Sequence, residues 1–298
     1  MSAVQSYRLF NVVLARKERL SPSMLRCVFR GDEVRHMKID APDQRIKLLF
    51  PSLNGTPAAL TPDGSWWEQT KALPEDRRPV LRTYTLRRVD VEAGEAEVEF
   101  VMHGTDGPAS AWAMGAQPGD ALQMVAPNRD YPEDSGGYEW NPHPEAEWGL
   151  IIADETALPA VKGILEQLAH RDTPPQIQLF IEVPKQGDCS DLSAWPFAEV
   201  HWLARELTGA SYGEALLQAV KQHVMLPDYA LTRCQEVQEE EEEGELLWDR
   251  AESDNRFHGW VAAESTTVKH LRRYLIGERN VSKETISFLA YWARGRRA

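Results

Sequence analysis

Cysteine is scarce in this chain: three residues in 298, Cys27, Cys189 and Cys234, lie far from one another. None forms a CxxC pair, so the spacing offers neither a zinc knuckle nor an iron–sulfur cluster, and scattered thiols give no disulfide framework. Positive charge is also short. Lys and Arg total 33 against 46 Asp and Glu, a formal net charge of −13. That argues against nucleic acid or an anionic membrane as partner, because both reward a basic surface. No apolar stretch approaches the roughly 18 residues of a membrane span. The start Met1-Ser2-Ala3-Val4-Gln5 lacks the basic and apolar regions of a signal peptide. These absences lead to the expectation of a cytoplasmic protein. A GxGxxG is missing too, and with it the common dinucleotide fingerprint. No catalytic triad, acid–base pair or internal repeat stands out.

What is present is the make-up of a globular protein, 42% hydrophobic and 27% charged, long enough for two domains. Up to residue 127 the chain alternates short apolar runs with Pro, Gly and Asp turns. Strands are expected at 8–15, 24–30, 46–50, 82–89, 96–102 and 121–125, with one helix near 108–114. Six such strands suggest a small antiparallel barrel. The long loop 51–79 reads as functional or mobile. Residues 128–147, rich in proline and carrying Gly136-Gly137, read as a connector.

From 148 the pattern changes. Continuous apolar runs at 148–153, 176–183, 200–203 and 257–262 alternate with helical patterns, in which Val161, Ile164, Leu165 and Leu168, then Leu216, Leu217, Val220 and Val224, then Val268, Leu271 and Leu275 share faces. Strand–helix alternation predicts a parallel α/β sheet. A last helical pattern is expected over 283–294. The glutamate-rich run 235–245 opens an exposed acidic insertion, 235–255.

Two motifs carry chemistry. In Arg82-Thr83-Tyr84-Thr85-Leu86-Arg87 the strand period puts Arg82 and Tyr84 on one face, about 7 Å apart. A fixed guanidinium and a flat ring there suit one extended ligand, although an edge strand with solvated charges would read alike. About twenty residues on, His103-Gly104-Thr105-Asp106-Gly107-Pro108-Ala109-Ser110 is a turn feeding a helix. Pro108 suits its first turn, and the free amides there attract a phosphate. Trp112 just beyond reads as a packing residue. Later, Asp154-Glu155-Thr156-Ala157 follows an apolar strand directly. This is either ordinary helix capping or the strand-to-helix turn at which α/β sheets bind nucleotides. Arg205 could meet a phosphate there or could be a surface arginine.

These residues resemble the siderophore-interacting protein family, the cytoplasmic FAD-containing ferric-siderophore reductases. The likeness runs from about residue 7 to 297, the acidic insertion excepted. It implies a ferredoxin-reductase-like fold: a six-stranded antiparallel FAD-binding β-barrel at 1–127, a connector at 128–147, and a parallel-sheet α/β nicotinamide-binding domain at 148–298. It implies that Arg82 holds the FAD pyrophosphate, Tyr84 stacks on the isoalloxazine and Thr85 reaches the N5 region, with Thr83 between them. Met102 and His103 would follow the flavin ring and ribityl chain, while Gly107, Pro108, Ala109 and Ser110 cap the pyrophosphate. Asp154, Thr156, Ala157 and Glu264 would approach the nicotinamide cofactor, NADH or NADPH. Tyr291 and Trp292 would help cover the flavin. Ala263 and Ala290 depart from the pattern, since glycine is usual at both positions. Lys47, Arg129, Arg294 and Arg296 are candidates to receive an anionic ferric siderophore. The chain is expected to be a monomer with no resident metal, and ferredoxin is open as an electron donor. Two other readings share the flavin motifs: a general NAD(P)H–flavin reductase serving a protein carrier, and a siderophore binder without activity.

Overall fold

Seven antiparallel strands build the first part of the chain: β1 (Tyr7–Ser21), β2 (Met24–Arg30), β3 (Arg45–Phe50), β4 (Val80–Thr85), β5 (Arg88–Asp90), β6 (Glu95–Val101) and β7 (Ala121–Pro127). The computed structural model describes residues 4–62, 64–104, 107–232, 246–252 and 256–295. It divides into two compact units between Tyr138 and Glu139. The acidic run 235–245, Cys234, Arg296 and the pair Thr105-Asp106 lie outside the described residues.

In the first unit the strand order is β4-β3-β7-β1-β2-β6-β5. Period-2 alternation sends Phe10, Val12, Leu14, Ile46, Leu48, Phe50, Val98 and Phe100 into one core. The strand expected over 82–89 breaks at Leu86-Arg87. The Leu86 N–H donates to the Gln44 carbonyl beside β3 (2.8 Å), whereas the Arg87 N–H donates to the Glu97 carbonyl on β6 (2.9 Å). The chain thus crosses from one edge of the sheet to the other. That crossing curls the sheet into a barrel and makes seven strands out of the expected six, a change that local alternation cannot reveal.

Helix α2 (Pro108–Gly115) packs into this core. Trp112 stacks on Phe29, with ring centroids 5.9 Å apart and planes 20° from parallel, and meets Phe50 edge-on at 5.8 Å. Lys17 Nζ donates to the Ala113 and Met114 carbonyls, each at 3.1 Å, and so closes the helix's C-terminal end. The long loop 51–79 contains a helix, α1 (Trp66–Ala72). It starts at Ser65, whose hydroxyl accepts from the Glu68 N–H, and Trp66 packs on a second small core of Leu9, Leu49, Leu60 and Val125.

The second unit holds a sheet ordered β10-β9-β8-β12-β13-β11. Its parallel strands are β8 (Trp148–Asp154), β9 (Gln176–Val183), β10 (Ala198–Ala204), β12 (Phe257–Glu264) and β13 (Ile286–Trp292); β11 (Trp248–Asp249) pairs antiparallel with β13. Helix α3 (Leu158–Leu168) covers one face, where Ile151 and Ala153 point; α5 (Glu214–His223) and α6 (Ser265–Arg272) cover the other, where Leu150 and Ile152 point. Cover on both faces is why these strands read as unbroken apolar runs.

It also explains two departures from the sequence reading. The helix expected over 283–294 is strand β13, in which Ile286 and Phe288 enter one core layer and Leu289 the other. A short apolar run buried on both sides has no period that separates strand from helix. Within the expected acidic insertion, Trp248–Asp249 forms the sheet's edge strand.

His258 lies near the start of β12, 2% exposed, its ring edge-on to Trp140 at 4.9 Å. Its Nε2 has no hydrogen-bond partner among the described residues. Burial, helped by Arg171, pushes its pKa down to about 4. The unfolded chain therefore takes up this proton first as pH falls. The contribution of neutral His258 is complete above about pH 6.5 and is lost on acidification toward pH 4, a loss of about 3 kcal/mol. Thermal unfolding of the second unit should drop between pH 7 and pH 5, and His258→Gln should flatten that dependence even where it lowers stability overall.

Candidate functional site

β4 is an edge strand of the barrel sheet, so one row of its backbone groups has no neighbour strand. Arg82 lies opposite Leu48 and Tyr84 opposite Ile46, which places both on the core side of the pleat. The Tyr84 ring is partly buried, 4.5 Å from the Phe100 ring and tilted by 40°. Burial pushes its phenol pKa up, with Arg82 working against that. The Arg82 guanidinium is half-buried and Nη1 donates to the Leu81 carbonyl at 2.8 Å. Loss of water is the largest influence on it and lowers its pKa, the situation of a cation that gains by meeting an anion.

Thr83 and Thr85 take the opposite side of the pleat. Lys47, on β3, donates to the Thr83 hydroxyl at 2.6 Å. Loss of water, and then Arg45, lower the Lys47 pKa.

After β6 the chain turns toward α2. The Met102 N–H donates to the Ser23 carbonyl at 2.7 Å. The buried Ser110 hydroxyl donates to the Gly104 carbonyl at 2.6 Å and accepts from the His103 N–H at 3.4 Å. The imidazole lies against Gly107, where a Cβ would come 3.0 Å from His103 Cε1. Helix α2 begins at Pro108, and no described side chain caps it. The first-turn amides of Ala109 and Ser110 are thus left for another acceptor. A guanidinium depleted of water, a ring with one face on Phe100 and an uncapped helix start fit the diphosphate and flat ring of a flavin dinucleotide.

In the second unit the carboxyl ends of the parallel strands bring a second set together. Asp154 ends β8, Glu264 ends β12 and Trp292 ends β13. Asp154 accepts from the Thr156 N–H (2.9 Å) and hydroxyl (2.5 Å), and its other oxygen accepts from Trp292 Nε1–H at 2.8 Å. Burial first, then Glu155, pushes its pKa up to about 7. Neither Asp154 nor Thr156 caps α3, whose N-cap is Ala157. Ala157 is fully buried and its N–H is held by the Asp154 carbonyl. Glu264 caps α6, accepting from Thr266 and Thr267 N–H, and also accepts from the Arg294 N–H at 3.3 Å. Tyr291 packs between Trp248, stacked at 6.1 Å, and Trp260, edge-on at 6.0 Å.

Arg205 is not a surface arginine. It pairs with both oxygens of Glu155 (2.5 and 2.9 Å) and with Glu182 (3.0 Å), its side chain 10% exposed. Burial opposes its charge, but Glu155 and Glu182 together hold its pKa above the usual value. Its guanidinium lies 3.9 Å from the centre of the Tyr212 ring, and that of Arg294 lies 4.6 Å from it. Glu182, Tyr212 and the glycine after it were not legible as site residues. Glu182 had one signal, an acid ending an apolar strand; Tyr212 had none.

The cations expected to receive the siderophore fall in both units. Lys47 is bound to Thr83, Arg129 donates from Nε to the Met37 carbonyl at 3.2 Å, and the two share no described contact. Arg294 belongs to the second unit, over Tyr212.

Comparison with known families places both units. The siderophore-interacting FAD-binding domain matches residues 13–131, and the siderophore-interacting protein family matches residues 146–295. The ferric vibriobactin reductase ViuB of Vibrio cholerae is 28% identical over 284 residues, covering 94% of this chain and 88% of that protein. An NADPH-dependent ferric-chelate reductase of Escherichia coli is 26% identical over 290 residues, covering 96% and 93%. Among solved structures, a siderophore utilization protein from T. fusca superposes with a TM-score of 0.70 at 25% identity, covering 99% of this chain and 96% of that one. The fold extends further, to the ferredoxin reductase of carbazole 1,9a-dioxygenase (TM-score 0.59, 15% identity, covering 96% and 70%).

Replacing Arg82 with Ala should weaken FAD retention by about 10- to 100-fold, the equivalent of one charge-assisted hydrogen bond of roughly 1.5–3 kcal/mol. The flavin absorbance that stays with the protein through gel filtration measures it, and a fully yellow variant would remove Arg82 from the site.

Proposed function

The chain belongs to the siderophore-interacting protein family, and from that premise we propose that it is a cytoplasmic, FAD-dependent ferric-siderophore reductase. The observation that carries the reading is the Arg82 guanidinium and Tyr84 ring on one face of β4, within a unit matched by an FAD-binding domain family. The names of the Vibrio cholerae and Escherichia coli relatives support it.

FAD, when bound, supplies what no side chain can: it takes up two electrons and releases them one at a time. The residues of this chain do the rest. Arg82 would pair with the diphosphate, and the Ala109 and Ser110 amides would donate to it. The Tyr84 ring would hold the isoalloxazine flat, fixed in turn by Phe100. The hydrogen bonds of Ser110 set the turn through His103 and Gly104, which would hold the flavin's ring and ribityl chain. In the second unit, Asp154, Thr156, Glu264 and Trp292 stand where parallel sheets receive nucleotides, at the carboxyl ends of the strands.

Electrons come from a reduced nicotinamide dinucleotide, with ferredoxin as the alternative donor. One dinucleotide gives two electrons and one proton, so two ferric siderophores accept one electron each. Fe(II) carries less charge than Fe(III) and is held less tightly by hard oxygen ligands, so the metal leaves. Lys47, which donates to the Thr83 hydroxyl, is a described cation that would attract the anionic chelate.

Anaerobic addition of NADH or NADPH to the yellow protein should bleach the flavin, and a ferric siderophore added next should restore the colour while Fe(II) appears with a ferrous chelator. Bleaching that a ferric siderophore does not reverse would point to a protein carrier as acceptor. No bleaching by either nucleotide or by reduced ferredoxin would leave a binder.

A further inference from the structure

The carboxyl edge of the second sheet carries its own anions, and they are already bound. Glu182 comes from the end of β9. One of its oxygens accepts from the Gly213 N–H (2.9 Å) and from Arg205, the other from the Leu216 N–H (3.2 Å). It therefore fills the N-terminus of α5 from a neighbouring strand. Glu264 fills the N-terminus of α6 locally, as its own N-cap residue. Two helix ends that would otherwise attract a phosphate are thus occupied by the chain's own carboxylates.

Arg205, the arginine nearest the end of β9, has its charge spent on two acids. Glu155, 2% exposed, takes it in a two-pronged pair, and Glu182 takes the remaining side. Of the four carboxylates on this edge, Glu155 and Glu182 pair with Arg205, while Asp154 accepts from the Trp292 indole and Glu264 from the Arg294 backbone N–H. Lys185, just past β9, is exposed. Its N–H is tied to Asp188 (3.0 Å), and the Gln186 N–H beside it to Glu206 (2.6 Å).

In a β-α-β nucleotide site, an acid at the end of the second strand suits a free ribose 2′-hydroxyl, whereas a free arginine there suits a 2′-phosphate. Here β8, α3 and β9 form that unit, the acid is Glu182, and the arginine is already neutralised. A phosphate monoester brought to the end of β9 meets Glu182 and finds Arg205 already held by two acids, and like-charge juxtaposition costs several kcal/mol.

We propose that Glu155 is a specificity-determining residue: by holding Arg205 it makes this edge reject a 2′-phosphate, so that the chain takes NADH in preference to NADPH. This rests on the reading that the second unit receives a nicotinamide dinucleotide, and it departs from the cofactor named for the Escherichia coli relative. Tyr212, between Arg205 and Arg294 in the ring contacts, helps keep the arginine in place.

Two measurements on the FAD-loaded protein test it. Anaerobic flavin reduction should show kcat/KM for NADH at least about tenfold above that for NADPH, with the difference in KM. Calorimetric titration should show ADP-ribose binding more tightly than its 2′-phosphate. In Glu155→Gln, with Arg205 half released, the preference should move toward the phosphorylated forms by about tenfold while KM for NADH changes little. Glu199→Gln, on the same unit and away from Arg205, should leave the preference unchanged. Equal or tighter use of NADPH by the unaltered protein overturns the proposal and leaves the reductase reading intact. Binding of neither ADP-ribose compound overturns the proposal together with the reading that the second unit receives a nicotinamide dinucleotide, and leaves ferredoxin as the donor. A folded Glu155→Gln with an unchanged preference removes Glu155 from the role.

Discussion

The buried contact among Glu155, Arg205 and Glu182 organises the carboxyl edge of the second unit's sheet. It ties the turn after β8, the end of β9 and the residue after β10 into one block, and Glu182 extends it to the first turn of α5. Such a network contributes little net stability when compared with apolar packing of the same volume. Its effect is on geometry and on consequences of loss. Removing one member leaves a buried charge without its partner, which costs about 3–5 kcal/mol. Tight glycine packing reinforces the block. At Gly213 the backbone has φ of +76°, and a Cβ there would fall 1.9 Å from Thr267 Oγ1.

The first unit solves a different problem. Its barrel has to present a cation and a ring without exposing its core. It does so by using an edge strand. β4 pairs only with β3, and the chain leaves it at Leu86 to join the far edge at Arg87. Arg82 and Tyr84 point to the core side of the pleat, where Phe100 supports the ring. The helix that follows β6 then fills the barrel with Trp112 while leaving its own first turn uncapped. One element thus packs the core at its middle and leaves its first-turn amides uncapped at its start.

Where local pattern and tertiary structure agree, the reason is periodicity. The period of two in β1, β3 and β6, and the helical spacing of Val161, Ile164, Leu165 and Leu168, each follow from which side must be buried. Where they disagree, an edge or a second buried face intervenes. The run Ile286–Ala290 reads as helix or strand with equal ease, because β13 is covered on both sides. The split between β4 and β5 depends on which neighbour each amide finds. Helix α1 was marked in the sequence by Ser65 and Glu68, a capping pair inside what otherwise reads as loop.

The sequence by itself determined the order of a β-rich unit and an α/β unit, the RxYT strand and the glycine–proline helix start, because those signals are local and set by backbone preference. It carried the family likeness for the same reason, since motifs are short stretches of chain. Tertiary structure alone decided that Lys47 and Tyr84 take opposite sides of a pleat, that Ala157 is core, and that Arg205 is already paired. Each of those facts depends on residues tens of positions apart meeting in space. No property of the arginine's own neighbours in the chain distinguishes a guanidinium awaiting a phosphate from one bound to two carboxylates.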